Sequence, residues 1–241
     1  MKNSLLLLFL AASLFINGCS CKKSDGICID DLPNPTCSYP VWHPNGQLLG
    51  FNRMPLKRII PSDQMCLGVG YSYYQDSTGF WLINKDGTGL RRVTTFQLLS
   101  PSWSPDGKWI AFCNGGVIYK MAFDGTNFDT AHIVVLIANG VNNFFPSWNS
   151  TGDTIYYLAQ TSTVFDFIFR MSADGTGKSL VDSGNFINSY YSNNQILYTQ
   201  SVNHYGQVFS MNSDGSNKKQ ITTDTITNSL DFQKEYPRYY N

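Results

Sequence analysis

Pro101-Ser-Trp-Ser-Pro-Asp-Gly-Lys-Trp-Ile-Ala-Phe112 decides the fold, because the chain repeats it. It returns as Pro146-Ser-Trp-Asn-Ser-Thr-Gly-Asp-Thr-Ile-Tyr-Tyr157, and it appears earlier as Pro40-Val-Trp-His-Pro-Asn-Gly-Gln-Leu-Leu-Gly-Phe51. A second phrase is interleaved with the first: Phe80-Trp-Leu-Ile-Asn-Lys-Asp-Gly-Thr88, Ile118-Tyr-Lys-Met-Ala-Phe-Asp-Gly-Thr126, Ile168-Phe-Arg-Met-Ser-Ala-Asp-Gly-Thr176 and Val208-Phe-Ser-Met-Asn-Ser-Asp-Gly-Ser216. A period of about 45 residues, built of short strands and tight turns, is the signature of a β-propeller.

Residues 100–137 show how one repeat becomes one blade. Pro101 to Ser104 reads as a short strand and Ser104-Pro-Asp-Gly107 as a tight turn. Proline presets φ at the first turn position, and glycine tolerates the left-handed backbone of a bulged hairpin. Lys108 to Cys113 is the return strand, Val117 to Phe123 the third, and His132 to Ile137 the fourth, after a lengthened Asp124-Gly-Thr126 turn. The expected fold class is all-β: a small propeller of four-stranded antiparallel blades, four of them main blades. Tyr236-Pro-Arg-Tyr-Tyr240 resembles the first strand of a fifth copy, cut short. Either it adds a strand to a four-bladed ring, or a partial fifth blade forms with the Ile27 to Pro40 region, so that no sheet edge is left open; an open, incomplete ring or a pair of chains is the further alternative.

The aromatic residues Trp42, Trp103 and Trp148 recur in register, with Tyr191 in the fourth, shortened copy. A large aromatic at one fixed blade position is expected to pack between adjacent sheets. Asp86, Asp124, Asp174 and Asp214 recur at one strand junction and are expected to be structural turn residues. Asn84-Lys-Asp-Gly-Thr-Gly89 lacks the spaced acidic ligands and terminal glutamate of a calcium loop.

The paired motifs closely resemble the propeller repeats of TolB-like proteins, over about residues 38–222. Such repeats serve many roles, so the resemblance implies a fold more than an activity. Four full copies are visible where the Tol protein's propeller has more, and that protein's additional N-terminal domain has no counterpart here.

Residues 1–18 read as a signal peptide. Lys2 supplies the positive start, and the apolar run Leu5 to Ile16 suits a signal h-region while being short for a membrane span. Ile16-Asn-Gly-Cys19 resembles the lipobox of bacterial lipoproteins, with Asn17 where a small residue is more usual. That resemblance implies cleavage before Cys19 and lipidation of its thiol and new amine; more than one acyl chain gives stable anchoring. Residues 19–37 are then the lipidated cysteine and a tether, and residues 38–241 the propeller. By resemblance to Gram-negative sorting rules, Ser20 favours the outer membrane. An outer-membrane lipoprotein facing the periplasm or the cell surface is expected.

Seventeen basic residues balance seventeen acidic ones, so no basic stripe supports nucleic-acid binding. Cysteine usage fits an oxidising compartment. Cys28 and Cys37 bracket a Pro-rich loop and are the first expected disulfide; Cys66 and Cys113 are a second pair, across neighbouring blades.

Pro-Asp-Gly and Asp-Gly-Thr turns share one face of the blades. The opposite face carries the variation, and its largest element is the insertion from Met54 to Gly79. That insertion offers Lys57, Arg58, Tyr71, Tyr73 and Tyr74, and a shorter loop adds His204 and Tyr205. Tyrosines bind partners well because each has a rigid apolar face and a hydroxyl, and they stack on sugars. His43, His132 and His204 are the only histidines. His43 is expected to be a solvent-facing turn residue and His132 to lie in or near an outer strand. No nucleophile elbow, zinc-protease motif or phosphate loop is present. TolB-like propellers have relatives among polysaccharide lyases that bind a metal through several histidines, and this chain has few. The expectation is a non-catalytic interaction module without cofactor or metal, contacting an envelope protein, or alternatively a glycan, with a lyase-like enzyme the more distant reading.

Overall fold

The computed structural model describes residues 36–61, 69–160, 166–190, 195–202 and 205–223. Two compact units divide them: one contains residues 55–74, the other residues 36–54 and everything from 75 onward.

The larger unit is made of four four-stranded antiparallel sheets, each a blade. Blade 1 orders β1 (Thr36–Trp42), β2 (Leu48–Met54), β5 (Gly79–Asn84) and β6 (Arg91–Arg92). Blade 2 orders β7 (Leu99–Trp103), β8 (Trp109–Asn114), β9 (Val117–Ala122) and β10 (Val134–Ile137). Blade 3 contains β11 (Asn142–Trp148), β12 (Thr154–Gln160), β13 (Asp166–Ser172) and β14 (Ser179–Ser183). Blade 4 contains β15 (Asn185–Tyr190), β16 (Gln195–Val202), β17 (Tyr205–Asn212) and β18 (Lys219–Gln220). The first strands β1, β7, β11 and β15 contact one another in succession, the arrangement of a propeller. Strand β1 starts at Thr36, two residues ahead of the expected edge of the propeller.

The first strands of blades 1, 2 and 3 each carry a bulge at their proline. Tyr39, Ser100 and Phe145 precede Pro40, Pro101 and Pro146 and have positive φ of 54°, 49° and 51°. Register shifts at the same places, between Ser38 and Val41, Leu99 and Ser102, and Phe144 and Ser147. One extra residue on the bulged strand turns the following side chains to the other face. Trp103 then pairs with Ile110 and Trp148 with Ile155, both indoles facing the preceding blade. Blade 4 has lost this proline, and its register shift lies instead between Asn185 and Ile187.

Among the described residues, the core consists of three seams between blades. Val41, Phe80 and Leu82 of blade 1 meet Trp103, Ile110, Phe112 and Met121 of blade 2. Ala111, Ile118 and Leu136 of blade 2 meet Trp148, Ile155, Tyr157 and Met171 of blade 3. Tyr156, Leu158 and Ile168 of blade 3 meet Ile196, Tyr198 and Met211 of blade 4. Middle strands such as Thr154–Gln160 are thus apolar on both faces, because each blade is covered from two sides.

The smaller unit is an antiparallel hairpin of β3 (Leu56–Pro61) and β4 (Val69–Tyr73), with Ile59 opposite Tyr71. Its base is closed by the Tyr74 amide, which donates to the Pro55 carbonyl at 2.9 Å. In sequence it is inserted between β2 and β5.

Candidate functional site

The hairpin is the largest departure from the repeat. Leu56 is buried at its base, Tyr73 is half-buried, and Tyr74 is 51% exposed. Lys57 Nζ lies 5.8 Å from the centroid of the Tyr74 ring, within cation–π range. The hairpin therefore presents an exposed aromatic face beside a cation. Arg58 and Tyr71 are in its two strands, with Arg58 opposite Ser72. Tyr205 opens β17, opposite Val202. His204 and Tyr191 lie outside the described residues, as do Cys19 and Tyr236–Tyr240.

The Asp-Gly turns form one hydrogen-bond pattern. Oδ1 of Asp86, Asp124, Asp174 and Asp214 accepts from the amides of Thr88, Thr126, Thr176 and Ser216 at 2.7–2.9 Å. Such Asx turns occupy the carboxylate within its own loop. All four carboxyls are held below the usual aspartate value. At Asp86 and Asp124 backbone amides are the leading cause; at Asp174 and Asp214 the hydroxyls of Thr176 and Ser216 lead. Trp103 and Trp148 are fully buried between sheets, whereas Trp42, on the face of blade 1 away from blade 2, is half-buried.

One expectation is corrected. His43 is not a solvent-facing turn residue. Its ring is half-buried in the seam between blades 1 and 2, 4.7 Å from Trp103 and 5.8 Å from Phe123 by ring centroids. Its Nε2 is 3.1 Å from the Gly107 carbonyl, and a Cβ at Gly107 would lie 2.4 Å from that nitrogen. The signal available in sequence was size: His43 stands where the other copies have Ser104 and Asn149. Of the cysteines expected to form disulfides, Cys37 is exposed and Cys113 buried, and their expected partners, Cys28 and Cys66, lie outside the described residues. Cys113 faces blade 3, where its Sγ donates to the Asn143 carbonyl at 2.9 Å, and burial pushes its thiol pKa up.

His132 is exposed and pairs with Asp129 at 3.0 Å, just ahead of β10. Among the described residues, no three His, Cys, Asp or Glu gather into a metal-binding group. Among them, too, no helix is long and apolar enough to cross a membrane.

No family model matches the chain, and no curated protein matches it. Solved structures do. A TolB protein from Agrobacterium tumefaciens is 18% identical over 77% of this chain and 80% of its own, with a TM-score of 0.49. TolB from Acinetobacter baumannii is 13% identical over 80% of this chain and 56% of its own, with a TM-score of 0.42. A chain of the nidogen/laminin complex is 16% identical over 72% of this chain and 77% of its own, with a TM-score of 0.48. These likenesses concern the fold and carry no argument about activity or partners. On the evidence of its own four sheets, its successive first strands and its paired repeats, the chain is a small β-propeller.

Proposed function

We propose that this protein is a non-catalytic, lipid-anchored β-propeller of the cell envelope that binds a partner protein through the inserted hairpin. The carrying observation is the exposed Tyr74 ring with Lys57 beside it, on an element that the other blades lack. Rigid aromatics next to a cation supply much of the energy of protein interfaces. Anchoring at Cys19 rests on the lipobox resemblance, and the tether within residues 19–37 would set the reach of the propeller from the membrane. A glycan is the second reading, favoured by the same exposed tyrosine face.

Photo-crosslinking tests the reading in cells. A benzoylphenylalanine in place of Tyr74 is expected to capture one envelope protein. The same group in place of Val135, an equally exposed residue of blade 2 (54%), is expected to capture none. Equal capture at both positions would reject the hairpin as the contact. Cys19→Ser is expected to release the protein from the membrane fraction.

A further inference from the structure

Each seam joins the trailing face of one blade to the leading face of the next, and among the described residues two such faces are left over. In blade 2 the leading face is Trp103, Ile110, Phe112 and Met121, at most 2% exposed. Their counterparts in blade 1 are Trp42, Leu49, Phe51 and Ile83, which are as large and as apolar but only half-buried.

The trailing face of blade 4 shows the same deficit. Its Val208 is half-buried, where the counterparts Phe80, Ile118 and Ile168 of blades 1, 2 and 3 are fully buried. Ile221 holds the place of Val93: the Ile221 amide donates to the Val208 carbonyl as the Val93 amide donates to the Phe80 carbonyl. Val93 packs in the seam between blades 1 and 2, whereas Ile221 is 50% exposed. The first strands β1, β7, β11 and β15 touch in succession, and no comparable contact joins β15 to β1 among the described residues. The described ring is therefore open between blade 4 and blade 1, and both sides of the opening are apolar.

Beyond residue 223 the chain carries the pattern that fills such a place. Tyr236-Pro-Arg-Tyr239 repeats Tyr39-Pro-Val-Trp42, the bulged stretch of β1, and shares the proline–x–aromatic spacing of Pro101-Ser-Trp103 and Pro146-Ser-Trp148. Aromatic residues with positive φ, Tyr39 and Phe145, precede the bulge proline in blades 1 and 3, as Tyr236 precedes Pro237. Eight residues lead from Val93 to Pro101, and sixteen lead from Ile221 to Pro237, so the connection is long enough to follow the same path. We propose that residues 236–240 lie between blades 4 and 1 as a fifth first strand and close the ring as a strap. Tyr239 then faces Val208 and Ile221 of blade 4, as Trp103 faces blade 1. Arg238 falls on the other side, toward Trp42 and Phe51 of blade 1, whose rings suit a guanidinium. A second copy of the chain would offer the same faces, but a tethered segment acts at an effective concentration of about millimolar and is the favoured occupant.

The test uses the full chain in detergent micelles, with benzoylphenylalanine in place of Ile221 or, separately, of Phe51. Irradiation, trypsin digestion and mass spectrometry identify the captured segment; cleavage after Lys234 and Arg238 releases residues 235–238 and 239–241 as separate peptides. Both positions are expected to capture these peptides within one chain, in a product of monomer mass. Capture of another segment, no capture, or a crosslinked dimer as the main product would overturn the proposal, the dimer by giving the opening to a second copy. The melting temperature is an independent readout. Tyr239→Trp, which installs the aromatic of blades 1, 2 and 3, is expected to hold or raise it. Tyr239→Ala is expected to lower it by about 6 °C or more, as loss of a buried aromatic does in a chain of this size. An unchanged melting temperature in Tyr239→Ala would also overturn the strap.

Discussion

The indole Nε1–H of Trp148 in blade 3 donates to the carbonyl of Ser102 in blade 2 at 3.1 Å, both residues fully buried. One side chain therefore fills the seam and ties the two innermost strands together. Replacing a buried tryptophan by alanine costs about 3–5 kcal/mol, a large share of a domain's roughly 5–15 kcal/mol. Trp148→Ala is expected to lower the melting temperature sharply. Trp148→Phe keeps much of the packing and loses the hydrogen bond, so it is expected to cost less. Calorimetry of both variants checks this, and equal losses would assign the whole effect to packing.

Asn52 makes the corresponding tie between blades 1 and 2 with hydrogen bonds alone. Its Nδ2 donates to the Leu98 carbonyl at 2.7 Å and its Oδ1 accepts the Leu98 amide at 2.9 Å, with the side chain fully buried. Cys113 holds the equivalent place in blade 2 and reaches Asn143, the counterpart of Leu98. Asn52→Leu preserves volume but strands a buried backbone donor and acceptor, each costing about 1–3 kcal/mol. The midpoint of urea unfolding is expected to fall without a change in slope. An unchanged midpoint would contradict this role.

Acid sensitivity follows from the four Asx turns. Their carboxyls sit below the ordinary value of 3.8 in the folded chain, so the folded state binds fewer protons there than the unfolded state. That contribution is fully present above 3.8 and is lost as pH falls through the lowered folded values. Asparagine can accept the same backbone N–H without titrating. The fourfold variant Asp86→Asn, Asp124→Asn, Asp174→Asn and Asp214→Asn is expected to show a shallower fall in melting temperature between about pH 5 and pH 2 than the parent chain. Parallel curves would place the acid sensitivity elsewhere.

The repeats were readable because their determinants are local. Turn prolines, glycines and the Asx carboxylate act within a few residues, and the alternation along each strand follows from burial of its faces. What escaped the sequence depends on neighbours far along the chain. His43 meets Gly107 sixty-four residues later, and nothing near His43 announces it. The Cys113 thiol meets the Asn143 carbonyl thirty residues later, a contact that no local pattern announces. The hairpin was legible as an insertion, because it interrupts a repeat whose length is known from its neighbours.

The most direct measurement is capture from solubilised envelope by the full chain and by a form lacking Lys57–Ser77. Arg53 and Gly79 are paired across β2 and β5, so the shortened connection joins strand ends that are already adjacent. The account predicts that a partner enriched by the full chain is lost from the deleted form, while its melting temperature stays close to that of the parent. Undiminished capture by the deleted, folded form would contradict the assignment of partner binding to the hairpin.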